Sequence, residues 1–353
     1  MSATGVLLIA FGEPEHPTRE EVVPFLERIF YSNAALDPHT TDAERLQRCR
    51  ELAERRAPGL INDYRRIGGS PLNRQAREGA EAVAAELERR GHEVRVELGM
   101  QFTDPTIAGA VSRLLEAHPR AVIVLPLFPI CGFSTNVAAL RSAREAMGDS
   151  GVPFQGIAGW HHSREYVRLR AENIHRFAAR QLLDLGDPDT LLYFSAHGTP
   201  VKYLEAGSRY DGYVEEHCRA VAESLGGVRY VLGYQNHANR GIPWTEPDND
   251  RAIQTARARR LVVEPVSFLH EQSETLAELD IDFREKAESL GLEFHRVPTP
   301  ADRKELAGVF ADLMEPFLRD SAPGTGGLHP CRCSPGSWCT NGHREVRCRY
   351  SPA

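Results

Sequence analysis

Residues 191–200, LLYFSAHGTP, decide how this chain is read. The apolar run from Leu191 to Phe194 breaks off at Ser195, Ala196, His197 and Gly198. Such a run, stopped by a polar turn, is a buried strand with an abrupt end. In open α/β sheets, ligands sit beyond the carboxyl ends of the strands. His197 is therefore expected at the mouth of a site, with Gly198 permitting close approach. Imidazole serves equally as metal ligand, proton carrier or loop filler, and this stretch alone does not choose among them.

Outward from that strand the chain alternates. Apolar or alternating runs predict strands at 6–11, 93–98, 121–127 and 154–157, and again at 191–195, 230–233, 261–266 and 293–296. Between them helical periodicity covers 20–30, 42–56, 73–90, 106–117, 136–147 and 164–185, then 211–225, 250–259, 275–290 and 301–319. Pro58 is expected to end the second of these helices. Strand–helix alternation argues for parallel sheets with helices on both faces. VLLIAFGEP and LLYFSAHGTP hold matching places in the two halves, as do VIVLPLFP and LVVEPVSFL. The expected fold is α/β, with two Rossmann-like domains, each a four-stranded-type parallel sheet flanked by helices, and a cleft between them. Domain limits are expected at 1–158 and 159–320, with the last helix free to pack back on the first domain.

A length of 353 residues suits two such domains, and 41% hydrophobic residues suffice for their cores. The net charge of −7 and pI near 6.1 supply no basic field, so nucleic acid is not an expected partner. MSATGVLLIAFG lacks a basic start and reads as a first strand, which points to the cytoplasm. Residues 321–353 form a tail rich in Gly, Pro, Ser and Cys without periodicity, expected to be ordered only by a metal or a docking surface. Cys331, Cys333, Cys339 and Cys348 crowd this tail, whereas Cys49, Cys131 and Cys218 are scattered. Without an export signal such a cluster suggests metal more than disulfides.

Ser195 lacks a G-x-S-x-G frame, and neither a P-loop nor G-x-G-x-x-G follows a strand. Glu274 lies beyond the strand at 261–266, at a helix start. A carboxylate there is ordinary helix N-terminal chemistry. Parallel strands in one sheet would nevertheless bring His197 and Glu274 to the same edge, where an imidazole and a carboxylate can move protons or hold a divalent metal.

SAHGTP, YQNHANRGIPWTEP and EPVSFLHEQSETLAELDIDF together resemble the C-terminal half of the ferrochelatase family, enzymes that insert ferrous iron into a porphyrin to make haem. LLIAFGEPE, RRAPGLINDYRRIGGSP and LFPICGFSTN resemble segments of the family's first half, in order, so the likeness runs from about Val6 to Leu318. It departs at Gln272, where the family pattern has histidine, and at Asn236 and Thr245 near Trp244. Gln272 cannot take up a proton, which puts any relay through that position in doubt.

The resemblance implies the following expectations. His197 and Glu274 are catalytic and meet the Fe²⁺ substrate. Phe11, Phe128 and Trp244 wall the ring, although each aromatic also reads as ordinary core. Arg56, Tyr64 and Ser70 fall on positions that contact porphyrin propionates. The porphyrin is protoporphyrin IX or coproporphyrin III, with release of two protons. Some members carry a 2Fe–2S cluster, and Cys131, Cys331, Cys333 and Cys339 are similar to its ligands, with Cys348 as the alternative. C-x-C-x₅-C here differs from the family's C-x₂-C-x₄-C, and zinc or an unmetallated tail stay open on ligand type. Such an enzyme works as a monomer or homodimer in the cytoplasm, with room for peripheral contact to the inner membrane. The rival functions are a cobalt or nickel chelatase of another tetrapyrrole pathway and a non-catalytic haem or porphyrin carrier.

Overall fold

The computed structural model describes residues 3–33, 41–236, 241–300, 302–319, 324 and 327–341. Cys348 lies outside the described residues. One sheet contains β1 (Thr4–Ala10), β2 (Val94–Met100), β3 (Val122–Pro126) and β4 (Phe154–Gly159). The other contains β5 (Thr190–His197), β6 (Tyr230–Gln235), β7 (Arg260–Pro265) and β8 (Glu293–Arg296). Their spatial orders start β2-β1-β3-β4 and run β6-β5-β7-β8, and all pairs among these eight strands are parallel.

The apolar runs are continuous because both faces of the sheets are covered. Along β1, Leu7 and Ile9 join one core cluster while Val6 and Leu8 join another on the opposite face, as the two-residue pleat requires. Helix Arg303–Leu318 places Leu306, Phe310 and Met314 in the second of these clusters, beside Leu72 and Leu125. The chain's last helix thus packs on the first sheet.

Register sets which residues meet. In β5, Ser195 pairs with Gly233 of β6 and Pro265 of β7, so His197, Gln235 and the loop after Pro265 leave the sheet at one edge. In the first sheet Ile9 pairs with Pro126, so Phe11 and Phe128 also leave together. Both sets face the cavity between the sheets.

Two expectations fail locally. Pro58 does not end its helix, which runs as Asp42–Ile67 to a left-handed Gly68 with φ 74°. The prolyl ring sits on an exposed face, where water can serve the carbonyl that loses its amide partner, while Ala53, Ala57 and Tyr64 bury the other face. The expected helix at 250–259 is only Asn249–Ala252 plus a 3-10 turn, Ile253–Thr255. The tail, expected to need a metal or a docking surface, is ordered against the first sheet. β9 (His329–Pro330) and β10 (Ser337–Cys339) extend the first sheet, with β10 parallel to β4 and β9 antiparallel to β10. The edge of β4 offers unpaired backbone groups, and the tail satisfies them.

Arg170 ties helix Arg164–Arg180 to the second sheet. Fully buried, it pairs with buried Glu264 and donates to the carbonyls of Phe268 (2.9 Å) and Pro265 (3.0 Å). Arg170→Ala leaves Glu264 as an uncompensated buried charge, so it should cost about 3–5 kcal/mol in urea unfolding. A loss below ~1 kcal/mol would show that the pair merely breaks even against its desolvation.

Candidate active site

A cavity of about 1730 Å³ separates the two sheets. Small-ligand pockets usually hold about 300–1,000 Å³, so this one suits a large occupant. Phe11, Arg56, Tyr64, Phe128, His197, Trp244 and Glu274 all line it. Ser70 stands behind that wall.

On the His197 side, Nδ1 lies 2.6 Å from the carbonyl oxygen of Gly198. A carbonyl only accepts, so Nδ1 carries a proton, and in the neutral ring Nε2 is the basic nitrogen. The His197 backbone N–H donates to Ser267 Oγ at 3.1 Å, and Ser267 Oγ meets the Tyr210 hydroxyl at 2.9 Å. The Phe268 ring packs edge-on, its centroid 6.2 Å from that of the imidazole. Gly198 is required, since a Cβ there would stand 2.9 Å from the Gln235 carbonyl. The Trp244 loop is clipped to the turn after His197 by Val201 N–H to Pro243 O (2.9 Å) and Thr245 N–H to Thr199 O (3.0 Å). Asn236 and Thr245, the two departures near Trp244, answer each other: Asn236 Nδ2 donates to the Thr245 carbonyl at 2.6 Å.

Opposite the strand ends, the expected helix at 275–290 is a π-helix, Glu274–Phe283, followed by a short α-helix, Arg284–Ser289. Hydrogen bonds spanning five residues widen the turn, so residues four apart stand nearly in line. Glu274, Glu278 and Asp282 have that spacing and all line the cavity. Gln272 Nε2 donates to Glu274 Oε2 at 2.7 Å, and Gln235 Nε2 donates to Glu278 Oε2 at 3.1 Å. Burial, and then the charge of Glu274, push Glu278 up to about 8.

Glu13 was missing from the expected site. It is 2% exposed and lines the cavity. The hydroxyls of Tyr64 (2.9 Å), Ser273 (2.6 Å) and Ser70 all reach its carboxylate. Tyr64 and Ser70 are thus spoken for by a protein carboxylate. Burial, then the charge of Glu274, push Glu13 up to about 7 against the lowering effect of those hydroxyls.

The remaining walls differ in character. Phe11 packs edge-to-face with Phe102, centroids 4.7 Å apart, and with Phe128 at 6.5 Å. Arg45, Arg48, Arg55 and Arg56 of helix Asp42–Ile67 also border the cavity, along one helical side.

Away from the cavity, buried Cys131 lies within hydrogen-bonding reach of Cys331 and Cys333, and Cys331 within reach of Cys339. These contacts hold Cys331 below the usual thiol range. Tyr213 Oη is 3.5 Å from Cys333 Sγ, and His329 Nδ1 is 3.6 Å from Cys339 Sγ. Among the described residues no group of three or more His, Cys, Asp or Glu side chains is arranged around a single metal position.

A family model described as ferrochelatase matches residues 3–317. The ferrochelatase of Synechococcus sp. (strain JA-3-3Ab) is 33% identical over 341 residues, covering 92% of this chain and 96% of that protein. The ferrochelatase of Nostoc punctiforme is 30% identical over 336 residues, covering 91% and 84%. Solved structures share the fold at far lower identity. A multi-domain Deinococcus radiodurans protein with structural similarity to chelatases aligns with TM-score 0.51 at 13% identity, over 95% of this chain and 57% of that one. The sirohydrochlorin chelatase of Bacillus subtilis in complex with cobalt aligns with TM-score 0.50 at 8% identity, over 90% and 96%. With a family match over almost its whole length and curated relatives along that same length, the chain belongs to the ferrochelatase family of metal-inserting tetrapyrrole lyases.

Proposed function

We propose that this chain inserts Fe²⁺ into a porphyrin in haem biosynthesis, and that His197 and Glu274 do the proton work. The observation that carries this reading is a basic imidazole nitrogen and a carboxylate on one large cavity with aromatic and arginine-bearing walls. Metallation replaces two pyrrole N–H protons by the iron, so two bases are needed where the ring sits. His197 Nε2 is the ring's proton acceptor, and the Glu274 carboxylate is a second acceptor that also suits a hard divalent cation. Phe11, Phe128 and Trp244 exclude water from the ring faces. Arg56 and its neighbours on the helix suit ring carboxylates, because guanidinium forks pair with them.

Turnover with Fe²⁺ and protoporphyrin IX or coproporphyrin III, assayed side by side, tests the reading. Binding of either porphyrin without turnover would favour a carrier. Within it, Glu274→Gln keeps shape and removes charge, so kcat should fall by about 100-fold or more, whereas Gln272→Ala should change it little. The reverse ranking would remove Glu274 from the proton route.

We assign a 2Fe–2S cluster to Cys131, Cys331, Cys333 and Cys339, with Cys348 as the alternative ligand. The support is the convergence of four soft thiols, one from a first-sheet loop and three from the tail, in a mostly buried place. Such a cluster needs the four thiols deprotonated, and when bound it cross-links the loop after β3 to the tail. Reduced thiols fit a cytoplasmic protein, and among the described residues no helix is long and apolar enough to cross a membrane. Domains at 1–158 and 159–320 remain our division, with helix Arg303–Leu318 lent back to the first.

A further inference from the structure

We propose that Glu13 is a positioning residue for Glu274, coupled to it through the Ser273 hydroxyl, and that it accepts the proton Glu274 takes from the ring and passes it towards solvent through Ser70. The inference rests on the proposed metallation and explains what replaces a protonatable side chain at Gln272. Ser273 Oγ lies 2.6 Å from Glu13 Oε1 and 3.0 Å from Glu274 Oε2, so one hydroxyl bridges two carboxyl groups that do not hydrogen-bond directly. Gln272 Nε2 occupies the same Glu274 oxygen as a donor, at 2.7 Å, and holds it in place without taking a proton.

The proton balance closes. A pyrrole nitrogen gives its proton to the Glu274 carboxylate. Glu274 then protonates Ser273 Oγ as Ser273 passes its own proton to Glu13, leaving the serine unchanged. Glu13 releases the proton towards Ser70, whose hydroxyl touches its second oxygen and which is partly exposed. Glu274 is again a carboxylate, ready for the next turnover, while His197 Nε2 takes the other pyrrole proton.

The surroundings favour a group that changes charge. Besides Ser70 and Ser273, Glu13 faces the Tyr64 hydroxyl from helix Asp42–Ile67 and Glu274 from the π-helix. Glu278 stands one turn beyond Glu274 with Arg56 near it, and Asn73 Nδ2 joins the Glu13 backbone carbonyl to the Glu15 carboxylate. A purely structural carboxylate buried among hydroxyls would be better served by a neighbouring cation, yet the strongest charge acting on Glu13 is another carboxylate. Burial and the charge of Glu274 raise both Glu13 and Glu278. Glu13 must be ionised to accept, so kcat should rise with pH through the neutral range and fall off below it.

The test uses the full-length protein with Fe²⁺ and whichever of the two porphyrins the wild type metallates. Glu13→Gln and Ser273→Ala should each lower kcat by roughly ten- to a hundredfold, leave the porphyrin KM nearly unchanged, and flatten the acidic limb of the kcat–pH profile. The double variant should be no slower than either single one, because both break the same link. Ser273→Thr restores the hydroxyl and should recover rate and limb, which separates the relay from simple loss of packing. A Glu13→Gln protein with an intact acidic limb, or one in which only KM moves, overturns the proposal. If the wild type turns over neither porphyrin, metallation itself fails, and infrared titration of the free protein still decides the coupling. A carboxylic-acid carbonyl band that titrates near neutrality should vanish in Glu13→Gln and shift in Ser273→Ala; a band unchanged in both overturns the proposal.

Discussion

His197→Ala is expected to lower kcat at least about 100-fold, while the purified variant keeps its fold and still takes up porphyrin. The expectation follows from how the side chain is held. Nδ1 is tied to the Gly198 carbonyl, so the ring cannot turn over to present that nitrogen, and Nε2 is left as the working base. The backbone is tied as well, through Ser267 and the clipped Trp244 loop, so the backbone's place does not depend on the ring's contacts. Removing the ring should therefore cost chemistry and little structure. His197→Gln places an amide that cannot accept a proton, so it should be as slow as alanine. Steady-state rates with Fe²⁺, beside a thermal melt and a porphyrin-binding titration, check this. A folded His197→Ala protein with near wild-type turnover would remove the imidazole from the reaction, leaving Glu274 and its partners to take both protons.

What could be read in the sequence was whatever depends on local pattern. The apolar runs of β1, β3, β5 and β7 declare buried parallel strands, and the residues just past them, Phe11, Phe128, His197 and Glu274, reach one cavity because parallel strands share an edge. What escaped depends on contacts between distant segments. Glu13 carries no special pattern; it matters because Tyr64, Ser70 and Ser273 arrive from residues 51, 57 and 260 positions away. The π-helix hides because ETLAELDIDF has ordinary helical composition, and the extra residue per turn shows only in backbone bonds. Pro58 misled because the rule against proline in helices assumes that the lost hydrogen bond goes unanswered, and on an exposed face water answers it. The tail's strands went unread because they are too short to carry an alternation and exist only where β4 supplies the docking surface.

Cys131→Ser should abolish the visible absorption, iron and labile sulfide of anaerobically purified protein and release the tail from the first sheet. The tail's strand pairing is slight, and its buried apolar anchor is Leu328, in the second core cluster. β9 has two residues and β10 three, and the ladder to β4 already shifts register between Trp338 and Cys339. A pairing that short is marginal without further support. Trp338 adds contact with Phe317, centroids 6.2 Å apart, and a 3.3 Å bond to Gln155, both near the surface. A further link between tail and body is the meeting of Cys331 and Cys333 with Cys131, whose loop is anchored by β3 and covered by the core. Metal bound by thiolates that converge only in the folded chain adds its binding free energy to folding, about 10–16 kcal/mol in small zinc domains. Losing one of four ligands should forfeit most of that, so residues 327–341 should gain hydrogen exchange and protease cleavage in Cys131→Ser, with the body of the protein much less affected. Cys348→Ser should keep chromophore and protection alike. Loss of the chromophore in Cys348→Ser with retention in Cys131→Ser would reassign the fourth ligand, and wild-type protein carrying zinc without labile sulfide would replace the cluster by a zinc site on the same thiols.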